Sequence, residues 1–288
     1  MDIREMLAGY ELDEYADSII PLMRKSIRME LDQQDDEKIA VGTSKMGGMP
    51  DLPQDMEWPC HADTNAPLSF IAQINFAETH PFDSDGKLPE RGMLYFFYDC
   101  SIDDGMPWGF DPKDAAGKAV IYFDGDMESL SRADAPDELS EADYDGIFAS
   151  AALSFSESID LPDPDSVQGD KLDLPEEAME TYWEALDDQA EEQPNKLLGH
   201  SDNMQGAMEL ECELTYNKLY CGDESGYKQA QKLGIGAGAA DWELLMQVDS
   251  NDDLGMMWGD CGKLYLWIRA QDLAARNFGA SWLILQCG

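Results

Sequence analysis

Positive charge is what this 288-residue sequence has least of: 19 Lys and Arg stand against 60 Asp and Glu, giving a formal net charge of −41 and a pI of about 4.1. Nucleic acid and anionic membrane surfaces are therefore not expected partners, because phosphate contacts need clustered cations and few are available to cluster. Histidine is nearly missing too. His61, His80 and His200 show no paired ligand spacing, so zinc at Cys60, His61 and His80 is not supported. The six cysteines, Cys60, Cys100, Cys212, Cys221, Cys261 and Cys287, are scattered without a Cys-x-x-Cys pair, which reads as reduced thiols. No apolar run approaches the roughly 18 residues of a membrane helix. The start Met1-Asp2-Ile3-Arg4-Glu5 lacks the basic and apolar stretches of a signal peptide. A cytoplasmic protein is the expectation.

What is present suffices for a real core: 43% of residues are hydrophobic, and one domain spanning 1–288 is expected. The excess of acid has a plain reading, solubility in a cytoplasm of acidic proteins, and a functional one, attraction of a basic protein or a divalent ion.

The sequence also echoes itself. Phe70-Ile71-Ala72-Gln73-Ile74-Asn75 is answered by Leu244-Leu245-Met246-Gln247-Val248-Asp249, and Gly92-Met93-Leu94-Tyr95-Phe96-Phe97 by Gly262-Lys263-Leu264-Tyr265-Leu266-Trp267. The gap from the glutamine to that glycine is 19 residues in one copy and 15 in the other, a difference one loop absorbs. Two copies imply a duplicated architecture.

Along the chain, apolar spacing over residues 3–25 predicts one broken helix or two short ones. Alternation at Ile27, Met29 and Leu31 predicts a strand entering a hairpin through the polar turn 33–36. Prolines break up residues 42–67, after which 70–76, 92–99 and 119–123 read as strands. Residues 124–192 carry 23 acids and 2 bases; inside them Leu174, Ala178, Met179, Tyr182, Trp183, Leu186 and Ala190 share a helical face that Asp173 could cap. The expected parts are an amino-terminal helix and hairpin at 1–44, a first β-rich half at 45–123, an acidic helical insert at 124–195 and a second β-rich half at 196–288. A late helix at 271–276 and a strand at 281–286 close the chain. The fold class that follows is α+β, mainly antiparallel, with two pseudo-repeated halves.

Ser44-Lys45-Met46-Gly47-Gly48-Met49-Pro50-Asp51-Leu52-Pro53, Trp58-Pro59, Trp108-Gly109-Phe110-Asp111, Lys196-Leu197-Leu198-Gly199-His200 with Gln205, and Trp258-Gly259-Asp260-Cys261-Gly262, in this order and with the two echoed blocks, resemble the YwqG-like family, a bacterial domain of unknown function. The resemblance runs from about residue 27 to the carboxyl terminus. It implies a β-rich, roll-like fold with a few peripheral helices. It also implies, at family level only, a role of the kind that protects cells against toxins.

The candidate chemistry is limited. Asp249, Asn251, Asp253 and Asp260 fall at positions 1, 3, 5 and 12 of a calcium loop. Leu254 stands where the turn needs glycine, Asp260 replaces a bidentate Glu, and the flanks read as strands, so this is not an EF-hand. A non-helical calcium or magnesium site stands against a solvated acidic turn. Gln73 with Asn75, and Gln247 with Asp249, are polar groups inside apolar runs and must be hydrogen-bonded. They either lock a sheet junction or floor a ligand pocket with Trp108, Trp258 and Asp260 nearby. His200 follows Gly199 at an expected turn, and Asp202 could orient it as a base. Gly234-Ile235-Gly236-Ala237-Gly238 precedes a strand where a dinucleotide loop would follow one, and reads as a flexible linker. Lys45 beside Gly47-Gly48 lacks Walker spacing. No cofactor, catalytic residue or metal ligand set is expected.

Two functions compete. One is a non-enzymatic acidic binding protein of immunity type, engaging a basic protein through residues 124–192. The other is an enzyme or metal-dependent ligand-binding protein using a site between the halves, with Gln73, Asn75, Trp108, His200, Gln247, Asp249, Trp258 and Asp260 as its polar and aromatic groups.

Overall fold

The computed structural model describes residues 3–101, 106–140, 146–192 and 194–288. Met1 and Asp2 of the signal-peptide reading, and residues 141–145 and 193 of the predicted acidic insert, lie outside the described residues.

Twelve strands follow in chain order: β1 (Arg24–Gln33), β2 (Lys45–Met46), β3 (Asp51–Pro53), β4 (Ser69–Asn75), β5 (Met93–Tyr98), β6 (Lys118–Phe123), β7 (Leu130–Arg132), β8 (Ala151–Asp160), β9 (Lys196–Leu198), β10 (Trp242–Asp249), β11 (Lys263–Arg269) and β12 (Trp282–Gln286). Ten of them form one antiparallel sheet in the order β12-β11-β10-β9-β1-β8-β2-β4-β5-β6, and β3 pairs with β7 apart from it. The fold is α+β and mainly antiparallel, as the alternation of elements predicts.

The order reads as two wings about the long central pair β1–β8, whose register runs from Arg24 opposite Asp160 to Gln33 opposite Ala151. One wing is β2-β4-β5-β6 and the other β9-β10-β11-β12. Both carry the same irregularity, a register shift between Phe70 and Ala72 in one and between Leu244 and Met246 in the other. Such a bulge re-aims the residues after it, here the two glutamines.

Strands β5 and β11 are continuous apolar runs because both of their faces are covered. On the shared face, Leu94, Phe96 and Tyr98 of one wing join Leu264, Leu266, Ile268, Leu283 and Leu285 of the other in a single core. On the opposite face, Phe70, Tyr95 and Phe97 pack with Leu52 and Leu130 in the first wing. Trp242, Tyr265, Trp267 and Trp282 pack under Met208 and Cys212 in the second. The amino-terminal helices bury Leu7, Leu12, Ala16 and Ile19 against Tyr182 and Ala185 of the helix Glu176–Glu192.

Three expectations are corrected. Strand β1 enters no local hairpin: it pairs with β8 and β9, far along the chain. Alternation identifies a strand but not its partner, and the chain after the turn Asp36–Lys38 instead places β2 beside β8. Residues 124–195 are not a helical insert. They contain the helix Glu176–Glu192, but also β7 and β8, one of the two central strands of the sheet. The density of acids obscured the alternation in Ala151–Asp160. The glycine-rich stretch at 234–238 is not an open linker either. Gly234 closes the helix Glu224–Leu233 in a left-handed conformation (φ 69°), and Ala237–Asp241 forms a 3-10 turn. The helices Glu209–Tyr216 and Glu224–Leu233 were not anticipated from the sequence.

Candidate functional site

The two echoed glutamines sit at the centres of two matching polar nodes. In the first, Lys45 on β2 lies opposite Gln73 on β4; in the second, Lys196 on β9 lies opposite Gln247 on β10. Both lysines are fully buried. Six residues beyond each lysine stands an aspartate, Asp51 or Asp202, and the glutamine clasps it from two sides. Gln73 Oε1 accepts from Asp51 N at 2.7 Å while Gln73 Nε2 donates to Asp51 Oδ2 at 2.7 Å. Gln247 Oε1 accepts from Asp202 N at 3.0 Å and Nε2 donates to Asp202 Oδ2 at 2.6 Å. The remaining amide hydrogens go to the carbonyls of Thr43 and Pro194. Tyr95 and Tyr265, opposite the glutamines on the next strands, donate to the carbonyls of Asp51 and Asp202 at 2.6 Å each.

A second carboxylate completes each node. Lys45 Nζ lies 2.8 Å from Asp36 Oδ1 and also donates to the Met49 carbonyl. Lys196 Nζ lies 3.3 Å from Asp160 Oδ2 and 2.8 Å from Asp202 Oδ1. Asp36 accepts from Met49 N at 3.1 Å, and Asp160 from His200 N at 3.0 Å. Between lysine and aspartate the backbone turns left-handed at two successive residues, Gly47 and Gly48 (φ 63° and 66°) or Leu198 and Gly199 (φ 60° and 78°). Glycine is required at the second of these. A Cβ would lie 2.4 Å from Asp36 Oδ1 at Gly48 and 2.0 Å from Asp160 Oδ2 at Gly199. Each node borrows from the adjacent central strand: Ser150, just before β8, packs at Gly48, and Ser26 of β1 packs at Gly199 and donates to Asp160 Oδ1 at 2.7 Å.

The nodes differ in their charge balance. In the first, Arg132 on β7 adds a second cation, 2.6 Å from Asp51 Oδ1 and 2.9 Å from Asp36 Oδ2. Burial pushes the Lys45 ammonium below its ordinary pKa against the pull of Asp36 and Asp51, and Arg132 pushes the same way. In the second node, burial also opposes the Lys196 charge, but Asp160 and Asp202 outweigh it and hold the pKa up. Burial raises the Asp160 carboxyl, with Lys196 opposing.

The other candidate residues distribute unevenly. Asn75 caps the helix Phe76–Thr79 by accepting from Ala77 N at 3.0 Å and donates to the Gly42 carbonyl at 2.8 Å. Its counterpart Asp249 accepts from Ser250 N at 2.8 Å and faces Lys263 Nζ at 3.7 Å. His200 belongs to the second node through its backbone, but its ring points elsewhere. Nε2 lies 2.8 Å from the Leu22 carbonyl, and burial drives its pKa down to about 3. It is therefore neutral and donates there. Asp202, offered as its orienting partner, spends its carboxylate on Lys196 and Gln247. Trp258 is a core residue, edge-on to Tyr98 and Phe148. Asp260 is exposed and accepts from Gly288 N through its carbonyl. Trp108 is partly exposed in a cleft that neither glutamine lines. Among the described residues no group of three or more His, Cys, Asp or Glu is placed to hold a metal ion, so the acids of 249–260 do not converge. No described helix is long and apolar enough to cross a membrane.

The sequence reading missed Lys45, Asp36 and Asp51 together with Lys196, Asp160 and Asp202. A signal was present: Lys45-x-x-Gly48-x-x-Asp51 repeats as Lys196-x-x-Gly199-x-x-Asp202, upstream of each glutamine at unequal distances. A buried lysine between carboxylates, closed by a glutamine and a left-handed turn, fastens a sheet junction. A search of curated proteins finds no match. The sequence profile of a domain of unknown function, DUF1963, matches residues 44–287, most of the chain, and the chain therefore belongs to that family.

Proposed function

We propose that this protein is a YwqG-like, cytoplasmic, non-enzymatic binding protein that engages a basic protein partner, in the manner of an immunity protein. The observation that carries the reading is the helix Glu176–Glu192. It contains no lysine or arginine, and it exposes Glu176, Glu177, Glu180, Glu184 and Asp187 beside Trp183, which is 38% exposed. A large, rigid aromatic anchor ringed by like charges suits a cationic surface. The balance elsewhere strengthens the field, since Lys45 and Lys196 are buried in the nodes and cannot offset surface acid. The glutamines, the best polar pair for an enzyme site, have their amides fully engaged within the nodes.

The test is affinity capture with the intact chain at about 50 and 300 mM salt, where screening lengths differ more than twofold. It is run beside a variant carrying Glu177→Gln, Glu180→Gln, Glu184→Gln and Asp187→Asn. A partner of high pI that is held at low salt and lost by the variant supports the reading. A partner bound equally by both proteins at both salts overturns it.

A further inference from the structure

A second surface feature lies away from the nodes and from the acidic helix. The loop joining β5 to β6 carries Trp108, Gly109 and Phe110 across the outer edge of β12. It is pinned there: Leu285 N donates to the Trp108 carbonyl at 3.1 Å, Trp282 Nε1 to the Gly109 carbonyl at 3.0 Å, and Cys221 N to the Phe110 carbonyl at 2.9 Å. Gly109 has φ +86°, and a Cβ there would sit 2.1 Å from the Leu283 carbonyl oxygen, so this crossing requires glycine. The pinned loop holds the rings of Trp108 and Phe110 stacked, centroids 6.4 Å apart with an interplanar angle of 19°. Even so, Trp108 stays 37% exposed, and Tyr220 across the cleft 46%.

These rings line a cleft of about 450 Å³ with Asp63, Asp99, Asp111 and Asp114, four carboxylates against one lining lysine, Lys113, within the roughly 300–1,000 Å³ usual for small-molecule sites. Asp99 Oδ1 accepts from Ser101 N, while Oδ2 faces His61 Nε2 at 3.9 Å, too far for a hydrogen bond. His61 Nδ1 faces the backbone N–H groups of Asp63 and Thr64, which leaves the proton on Nε2. Asp111 Oδ1 accepts from Lys113 N, and Asp114 Oδ2 from Gly109 N at 2.8 Å, so the loop itself orients both carboxylates. The cleft thus joins rigid aromatic faces to fixed carboxylates. A hydrated metal ion would gain nothing from the rings. A flat organic cation gains from both, stacking on an indole while its N–H fork meets carboxylate oxygens.

We propose that this cleft is a binding site for a guanidinium group, stacked on Trp108 and hydrogen-bonded to Asp99 and its neighbouring carboxylates. The group belongs to a free small molecule or to an arginine side chain of a protein. The inference does not depend on the acidic helix, and its variants leave that helix untouched.

The test titrates the intact chain with butylguanidine by calorimetry, beside butylurea as its neutral isostere and an acetylated, amidated Gly-Arg-Gly peptide. Saturable butylguanidine binding, no butylurea binding, and weakening of about fivefold or more in Trp108→Leu and in Asp99→Asn are expected. Glu177→Gln, an equal charge change on the acidic helix, leaves the affinity within about twofold. Butylguanidine binding at least as tightly as the peptide identifies a free ligand; a peptide about tenfold tighter identifies an arginine side chain. Equal binding of butylurea, or an Asp99→Asn loss no larger than that of Glu177→Gln, overturns the proposal. Should Trp108→Leu fail to fold, Tyr220→Leu tests the facing aromatic ring of the cleft, and an unchanged affinity there overturns the aromatic part of the proposal.

Discussion

Replacing Lys196 by methionine removes the one cation that, among the described residues, pairs with Asp160 and Asp202, two aspartates that the fold keeps from water. The side chains of Lys196, Asp160 and Asp202 are 0%, 1% and 10% exposed. Breaking a buried pair from one side costs about 3–5 kcal/mol, because the abandoned charge stays buried. For a chain of this size that corresponds to a fall in melting temperature of about 5–8 °C. The matching change at Lys45 should cost less, about 1–3 kcal/mol, because a second cation remains to hold the orphaned carboxylates. That cation is Arg132, 2.9 Å from Asp36 and 2.6 Å from Asp51. Urea denaturation of the two variants beside the parent measures both numbers. Adding Asp160→Asn to Lys196→Met should recover part of the loss, since a neutral amide no longer needs a counter-charge. Losses that are equal in the two single variants, or no recovery in the double one, would refute the reasoning.

Further predictions concern titration, turns and thiols. His200 is held far below its ordinary value of 6.5, at about 3, by burial; the unfolded chain therefore takes up the proton first, and stability falls as pH drops from about 6.5 toward 3. Glu211 behaves oppositely. Burial raises it from 4.5 to about 7, so its contribution is full below about 4.5 and is lost as pH rises through 7. In denaturation profiles between pH 4 and 8, His200→Gln should flatten the acid limb and Glu211→Gln should steepen it. Gly199→Ala should cost about 2 kcal/mol or more by urea denaturation, through left-handed strain and the contact with Asp160. In the native protein a disulfide reagent should titrate the exposed Cys60 and Cys261 quickly. The thiols of Cys100, Cys212 and Cys221, raised by burial, should react only on unfolding.

The echo around Gln73 and Gln247 could be read from the sequence because strands that pack on both faces keep their pattern under duplication. The lysines and aspartates stayed hidden for a physical reason. Lys45 stands 28 residues before Gln73 and Lys196 stands 51 before Gln247; the second interval holds the helix Glu209–Tyr216, whose Cys212 packs with Trp242 and Tyr265, and the helix Glu224–Leu233, which packs on the first through Ala230 and Leu214. Local alternation showed β1 but not its partners, which come from beyond residue 150. Strand β8 was concealed by composition, since the serines and acids that face out of it read as one more piece of an acidic surface. The cleft at Trp108 was invisible because it joins a loop of the first wing to Tyr220 of the second. No spacing along the chain encodes that approach.

Native-state hydrogen exchange tests most directly whether the duplicated residues are the fastening of the sheet. The backbone N–H groups of Met49, Asp51, His200 and Asp202 lie at or beside turns, yet each donates to a node side chain. If the nodes fasten the two wings to β1 and β8, these four amides exchange only with global unfolding, as slowly as those of β5 and β11. Exchange at the rate of exposed turns, with the sheet still protected, would contradict the account.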